Sequence, residues 1–282
     1  MTREEIVNQL IGRVSVNTYE KRMLTILEEG KAKYGIVAVK AEFEAEGTRT
    51  DELLRLLEIA RRAGVKVAVK IGGCEAIRDL IECRQFGVDY IIAPMVESPY
   101  ALKKYIAAKN KIFPVDEQAD ISFLFNVETH ATYQQIIDMS LTAKGGNVGM
   151  VFGRVDFAGS MGQTRDFVNS DEMIDCVEEV ARLCHDLNIE LVVGGGVSPD
   201  SIEPLRRVRQ SRLDRFETRK VVFDAAVLDG EGAKAGMELA IEFELLWLKN
   251  KRDFYRSIAA EDEPRIAMME ARQQSIPTAI AA

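Results

Sequence analysis

The sequence predicts an α/β protein built as a (β/α)8 TIM barrel with an extended C-terminal helical tail. Short runs rich in Val and Ile alternate with amphipathic stretches along most of the chain. The runs are continuous, which is typical of parallel strands buried on both faces. The length of 282 residues suits one barrel and a tail. A doubly wound open sheet is the alternative, but the glycine-rich fingerprint expected after its first strand is absent.

Strands are predicted wherever an apolar run lies between turn residues. These runs are Ile36–Val39, Val65–Ile71, Tyr90–Val96, Ile121–Val127, Val148–Phe152, Ile189–Val193 and Val221–Phe223. An eighth strand is predicted around Gly12–Val16 from a less regular pattern. Together these strands and the helices between them assign residues 1–230 to the barrel.

Helical periodicity separates the strands and continues beyond the last of them. The predicted helices are Glu52–Ala63, Cys74–Phe86, Tyr133–Met139, Asp171–Leu187, Ile202–Arg209, Met237–Tyr255 and Glu261–Gln274. The last two belong to a C-terminal segment, residues 231–282. We expect this segment to pack on the barrel or on a neighbouring subunit, and we expect a homo-oligomer.

Composition narrows the class of protein. With 47% hydrophobic and 29% charged residues, the chain can form a packed core. A net charge of −8 argues against a general nucleic-acid binder. No apolar stretch is long enough to span a membrane. The 4 cysteines include no CxxC pair, so we expect free thiols and a cytoplasmic location.

Two lysines end apolar strands where a barrel places its active site. Lys40 closes the run Ile36–Val39, with Glu42 on the same face two residues later, and Lys70 ends the next strand. These lysines could form salt bridges at the barrel rim, bind an anion, or act as amine nucleophiles. The glycines Gly194–Gly196 could likewise cradle an anion or form a tight turn.

Two carboxylates follow neighbouring strands further along the chain. Glu128 ends the run Ile121–Val127, and Asp156 follows Val148–Phe152. Converging carboxylates suit a hard divalent cation such as Mg²⁺, although Arg154 could instead neutralise one of them. Pro94 and Met95, after an earlier strand, are predicted walls of the same pocket.

Several segments resemble the HpcH/HpaI aldolase and citrate lyase β-subunit family, the class II pyruvate aldolases of the phosphoenolpyruvate/pyruvate barrel superfamily. The segments follow that family's order "PMVES … ET … G-R-x-D-L … S-x-G". They are Asp89–Ser98, Val127–Thr129, Phe152–Phe157 and Ser160–Gly162. The resemblance implies a metal-dependent lyase or aldolase that acts on a pyruvate- or phosphoenolpyruvate-like 2-oxo acid through a metal-stabilised enolate.

The resemblance also implies roles for single residues. Glu128 and Asp156 would be the ligands of Mg²⁺ or Mn²⁺. The implied substrate-binding positions are Lys70, Asn126, Gly153 and Arg154, with Lys70 standing where the family has Arg and Asn126 where it has Gln.

The chain departs from the family at the acid–base half of the site. The family's Asp-x-Glu-His run aligns with Lys40-Ala41-Glu42-Phe43, so Glu42 is kept while the Asp and the His are lost. Lys40, Glu42 and Lys70 are therefore the candidate catalytic residues. Two alternatives stay open: a Schiff-base aldolase that uses Lys40 or Lys70, and a barrel that binds an oxo acid without turnover.

Overall fold

The computed structural model describes residues 17–275, and within them eight strands form a closed barrel. Each strand pairs with the next along the chain, and the last pairs with the first. The strands are β1 (Ile36–Glu42), β2 (Lys66–Lys70), β3 (Tyr90–Ala93), β4 (Ser122–Val127), β5 (Gly149–Gly153), β6 (Leu191–Gly194), β7 (Arg215–Glu217) and β8 (Val221–Asp224). The predicted barrel is confirmed.

Helices lie between most of the strands, as the periodicity predicts. They are α1 (Thr18–Lys33), α2 (Thr50–Ala63), α3 (Ile77–Phe86), α4 (Pro99–Ile112), α5 (Val115–Gln118), α6 (His130–Tyr133), α7 (Ile136–Gly146), α8 (Arg154–Ser160), α9 (Asp171–Leu187), α10 (Ile202–Arg209), α11 (Gly232–Ala260) and α12 (Glu263–Gln274). Short 3₁₀ helices span Arg165–Asn169, Pro199–Ser201 and Ala225–Asp229.

The barrel closes through a hairpin that the sequence pattern did not predict. Strands β1 to β7 run parallel, whereas β8 is antiparallel to both β7 and β1. The turn between β7 and β8 takes the place of a helical crossover. As a result, the start of β8 lies at the carboxyl ends of the parallel strands. The strand predicted around Gly12–Val16 lies outside the described residues.

One layer of apolar side chains fills the barrel. Its members are Ala38, Ala68, Tyr90, Ile92, Leu124, Val151, Val192 and Val222. Successive residues of a strand point to opposite faces, so the next interior position lies two residues further along. On β1, β2, β4, β5, β6 and β7, this next interior position towards the carboxyl end of the strand is a charged residue, an amide or a glycine. These residues are, in that order, Lys40, Lys70, Asn126, Gly153, Gly194 and Glu217.

The predicted helical tail is present as α11 and α12. The described residues divide into two compact units, one of residues 22–244 and one of residues 17–21 with 245–275. How the tail packs therefore stays a prediction. None of the helices within residues 17–275 combines the length and the apolar character needed to cross a bilayer.

Candidate active site

A cavity of about 520 Å³ opens at the carboxyl ends of the parallel strands. Its floor includes Ile92 and Val151 from the apolar layer, and its charged lining is mostly acidic. The carboxylates are Glu42, Glu44, Glu128, Asp156, Glu217 and Glu244, and the cations are Lys40, Lys70, Arg165 and Arg219. The cavity thus lies where a barrel places its active site, and it contains most of the predicted site residues.

The Glu128 carboxylate is buried and accepts hydrogen bonds from two neutral donors, with one ammonium group nearby. It is 2% exposed. Its Oε1 accepts a hydrogen bond from the Met95 backbone N–H at 2.7 Å, and its Oε2 accepts one from Asn126 Nδ2 at 2.7 Å. The Lys70 Nζ lies 3.7 Å from Oε2. Burial raises the pKa of Glu128 above its ordinary value, and the charge of nearby Asp156 adds to this.

A glycine on the next strand leaves room for this carboxylate. A Cβ at Gly153 would lie 3.0 Å from the Glu128 Cβ and 3.3 Å from its Oε2. Any larger residue at this interior position would compete with the buried glutamate for the same space. We call Asn126, Glu128, Gly153 and Asp156 the β4–β5 wall.

In the β4–β5 wall, the Asp156 carboxylate and the Asn126 Oδ1 have no partner within residues 17–275. Asp156 is exposed, and its carboxylate has no ion pair or hydrogen bond within residues 17–275. The Asn126 Oδ1 is buried and lacks a partner, and it must be the oxygen because the Nδ2 donates to Glu128. Two carboxylates and an amide oxygen fit the hard donor set of Mg²⁺ or Mn²⁺. No cluster of three or more His, Cys, Asp or Glu that could hold a metal occurs in the described residues, so the remaining ligands would be water and substrate.

Lys40 on β1 and Glu217 on β7 form a buried ion pair inside the barrel. The Lys40 Nζ lies 2.6 Å from the Glu217 Oε1 and 3.4 Å from the Glu42 Oε1. Burial opposes the charge on Lys40, but these two carboxylates outweigh burial and raise its pKa. A Cβ at Gly194 would lie 3.1 Å from the Glu217 Oε1, so a glycine again makes room for a glutamate. We call Glu217, Lys40 and Glu42 the β7–β1 wall.

Lys70 lies between the two walls. Its Nζ is 2.9 Å from the Glu44 Oε2 and 3.7 Å from the Glu128 Oε2. Burial opposes its charge, yet Glu128 and the other nearby carboxylates raise its pKa. Lys40 and Lys70 are therefore both ammonium ions at neutral pH, whereas a Schiff-base nucleophile must be a neutral amine. The carboxylates that surround the two lysines therefore disfavour the Schiff-base alternative.

The structure places the side chains of three predicted substrate-binding residues outside the cavity lining. The Arg154 side chain is 0% exposed and does not line the cavity, because it donates to Gly194 O at 3.1 Å and to other groups behind the wall. Pro94 is buried and Met95 is 51% exposed, and neither side chain lines the cavity within the described residues. Met95 contributes through its backbone N–H instead.

Glu217 is a site residue that the sequence analysis missed. Strand β7 has only three residues, Arg215-Phe216-Glu217, so it shows no apolar run. Both of its interior positions are charged. On β1 and β2 the interior position above the apolar layer is also a charged residue. Because the sequence predicts no strand at β7, this pattern alone could not have found Glu217.

Comparison with known proteins supports the fold. No protein-family model matches the sequence, and no curated protein is similar to it. Among solved structures, an HpcH/HpaI aldolase from Desulfitobacterium hafniense DCB-2 has a TM-score of 0.57 at 16% identity, with 76% of this chain and 85% of that chain covered. An HpcH/HpaI aldolase/citrate lyase family protein from Burkholderia cenocepacia J2315 has a TM-score of 0.56 at 12% identity, with 86% and 100% covered. A variant of the citrate synthase SbnG has a TM-score of 0.52 at 15% identity, with 70% and 81% covered. The chain therefore shares the barrel fold of these aldolase- and citrate-lyase-like enzymes.

Proposed function

We propose that this protein is a divalent-metal-dependent carbon–carbon lyase or aldolase that acts on a pyruvate- or phosphoenolpyruvate-like 2-oxo acid through an enolate. The observation that supports this most directly is the β4–β5 wall. One cavity is lined there by a buried glutamate that accepts two neutral hydrogen bonds, and by a carboxylate and an amide oxygen that have no partner within residues 17–275. Such a wall retains negative charge and attracts a cation.

Glu128, Asp156 and Asn126 would hold Mg²⁺ or Mn²⁺. The cation would supply Lewis-acid stabilisation of the negative charge that develops on the substrate oxygen. The hydrogen bonds from Met95 N–H and Asn126 Nδ2 fix the orientation of Glu128, which keeps its remaining lone pairs directed at the cavity.

Lys70 would bind the substrate carboxylate, because it is a buried ammonium that lines the cavity beside Glu128. Lys40 would donate a proton to the enolate carbon, since the β7–β1 wall holds it protonated inside the cavity. Glu217 and Glu42 would then position Lys40 as its ion-pair partners, and water in the open cavity would return a proton to it. Lys40, held by these two glutamates, would take the place of the histidine that is absent from Lys40-Ala41-Glu42-Phe43.

The test is proton exchange at the methyl group of pyruvate in D₂O, followed by NMR with Mg²⁺ or Mn²⁺ and again in EDTA. The proposal predicts exchange that requires the metal. Exchange that persists in EDTA, with a lysine adduct trapped by borohydride, would support the Schiff-base alternative. A pyruvate-induced rise in melting temperature without exchange under any metal would support the binding barrel, which the missing histidine favours. If pyruvate shows no proton exchange and also gives no rise in melting temperature, both the lyase proposal and the oxo-acid-binding alternative are overturned.

A further inference from the structure

Among the cations that line this cavity, Arg165 is the one for which the described residues provide no partner. Lys40 and Lys70 are each held by glutamates. The Arg219 Nε lies 3.1 Å from the Glu46 Oε1. Arg165 lines the same cavity, is exposed, and forms no ion pair or hydrogen bond within the part of the chain that the structure describes.

A second cation without a carboxylate partner among the described residues is Arg154, which lies behind the cavity wall. The guanidinium of Arg154 is fully buried, and its donors reach neutral oxygens instead of a carboxylate. These acceptors are Gly194 O at 3.1 Å, Val168 O at 3.2 Å, Asn169 Oδ1 at 2.9 Å and Ser201 Oγ at 3.4 Å. A guanidinium is a cation at neutral pH, so Arg154 and Arg165 are two cations in this region without a carboxylate partner among the described residues.

The hydrogen bonds of Arg154 also anchor the backbone segment that begins with Arg165. Val168 and Asn169 belong to the 3₁₀ helix Arg165–Asn169, and Gly194 is the last residue of β6. One buried guanidinium thus ties the segment that begins with Arg165 to the strand end beside it. Arg165 is consequently presented at the rim by an anchored segment.

We propose that Arg165 forms an anion subsite at the cavity rim, which binds a second anionic group of the substrate. The group is a carboxylate or a phosphate, because a guanidinium can bind two oxygens of either at once. The substrate class becomes a 2-oxo acid with a distal oxyanion. This inference rests on the proposed function, in which Lys70 and the β4–β5 wall bind the oxo-acid end.

The test is calorimetric binding in excess Mg²⁺ at fixed ionic strength. The probes are pyruvate, which has no distal anion, 2-oxoglutarate and 2-oxoadipate, which have a distal carboxylate, and 3-phosphohydroxypyruvate, which has a distal phosphate. We expect at least one distal-anion probe to bind about tenfold more tightly than pyruvate. The tighter of the carboxylate and phosphate probes identifies the natural group.

Three variants assign this preference to the rim. Arg165→Gln should remove the tenfold advantage while the Kd of pyruvate stays within about twofold. Arg165→Lys should retain part of it, because a lysine keeps the charge and loses the fork. Arg78→Gln is the matched control, since Arg78 is an exposed arginine on α3 that lines no part of the cavity, and it should change nothing. Distal-anion probes that bind no more tightly than pyruvate, or an advantage that survives Arg165→Gln, would overturn the inference.

A separate pair of titrations distinguishes this inference from the proposed function. If pyruvate does not bind with Mg²⁺, the oxo-acid proposal fails, and the subsite is judged on glutarate and inorganic phosphate alone. Weaker binding of either anion to Arg165→Gln than to the unmodified protein would then support the subsite. Equal binding to both proteins, or binding to neither, would overturn it.

Discussion

The two walls of the cavity share one construction and differ in what they do with charge. In each, a glycine on the neighbouring strand leaves room for a buried glutamate: Gly153 for Glu128 and Gly194 for Glu217. Neutral donors hold Glu128, with the Lys70 ammonium at 3.7 Å, whereas Glu217 contacts the Lys40 ammonium at 2.6 Å. The comparison teaches that two buried glutamates can differ in the charge left over after the protein's own contacts, and the proposed metal site rests on that difference.

The largest expected effect is the loss of exchange activity when Glu128 in the β4–β5 wall is replaced. Glu128→Gln keeps the shape of the side chain and removes its charge, so metal-dependent exchange of the pyruvate methyl protons should fall by about 10²–10³-fold. Glu75→Gln is the control, because Glu75 is an exposed glutamate that pairs with Lys104 and lies outside the cavity lining. The NMR exchange assay measures both. An unchanged rate in Glu128→Gln would show that the β4–β5 wall is not the reactive wall.

The second prediction concerns stability and the β7–β1 wall. Lys40→Met alone leaves the buried Glu217 charge without its partner, and we expect a loss of about 3–5 kcal/mol in the free energy of unfolding. Replacing both partners, in Lys40→Met/Glu217→Leu, should recover part of this loss, because the Glu217 charge is removed together with its partner and of this wall only Glu42 stays charged. Urea denaturation measures the two variants. A double variant as unstable as the single one would mean that the unpaired Glu217 charge is not the source of the loss.

Much of this comparison could be predicted from the sequence. The apolar runs give the barrel, and Lys40, Glu42, Lys70, Glu128 and Asp156 each interrupt or follow such a run. These residues all line the cavity. Strand ends are informative because a charge there breaks an apolar pattern that burial imposes.

The rest could not be predicted, for physical reasons. Strand β7 is three residues long with charged interior positions, so Glu217 interrupts no apolar run. Arg154 comes directly after Gly153, the last residue of β5. Its guanidinium nevertheless lies behind the wall, where it donates to the carbonyl groups of Gly194 and Val168. Position along a strand predicts the end of the barrel at which a residue lies. It does not predict which long side chains turn away from the cavity.

A matched pair of glycine substitutions sharpens the comparison further. Gly153→Ala places a Cβ 3.0 Å from the Glu128 Cβ, so Mn²⁺ affinity should fall by about tenfold as the ligand shifts. Gly194→Ala places a Cβ 3.1 Å from the Glu217 Oε1, so it should cost about 1–3 kcal/mol of stability and leave Mn²⁺ affinity within about twofold. Titration with Mn²⁺ and urea denaturation check the two. Equal loss of Mn²⁺ affinity in both would remove the distinction between the walls.

The smallest expected effect is on the pH dependence of stability. The folded protein raises the pKa of Lys40 above 10.5, so the native state binds this proton more tightly than the unfolded chain does. The stabilisation is therefore complete at neutral pH and is lost as the pH rises through the raised pKa. Urea midpoints measured near neutrality and above pH 10.5 should fall more for the unmodified protein than for Lys40→Met/Glu217→Leu. Identical falls would contradict the assignment.

The measurement that tests the central claim most directly is Mn²⁺ binding, followed by electron paramagnetic resonance, to the unmodified protein, Glu128→Gln and Glu217→Gln. The account predicts that the unmodified protein binds Mn²⁺, that Glu128→Gln weakens binding by at least about tenfold, and that Glu217→Gln leaves it within about twofold. If the unmodified protein binds no Mn²⁺, or if the two variants weaken binding equally, the β4–β5 wall is not a metal site and the account is wrong.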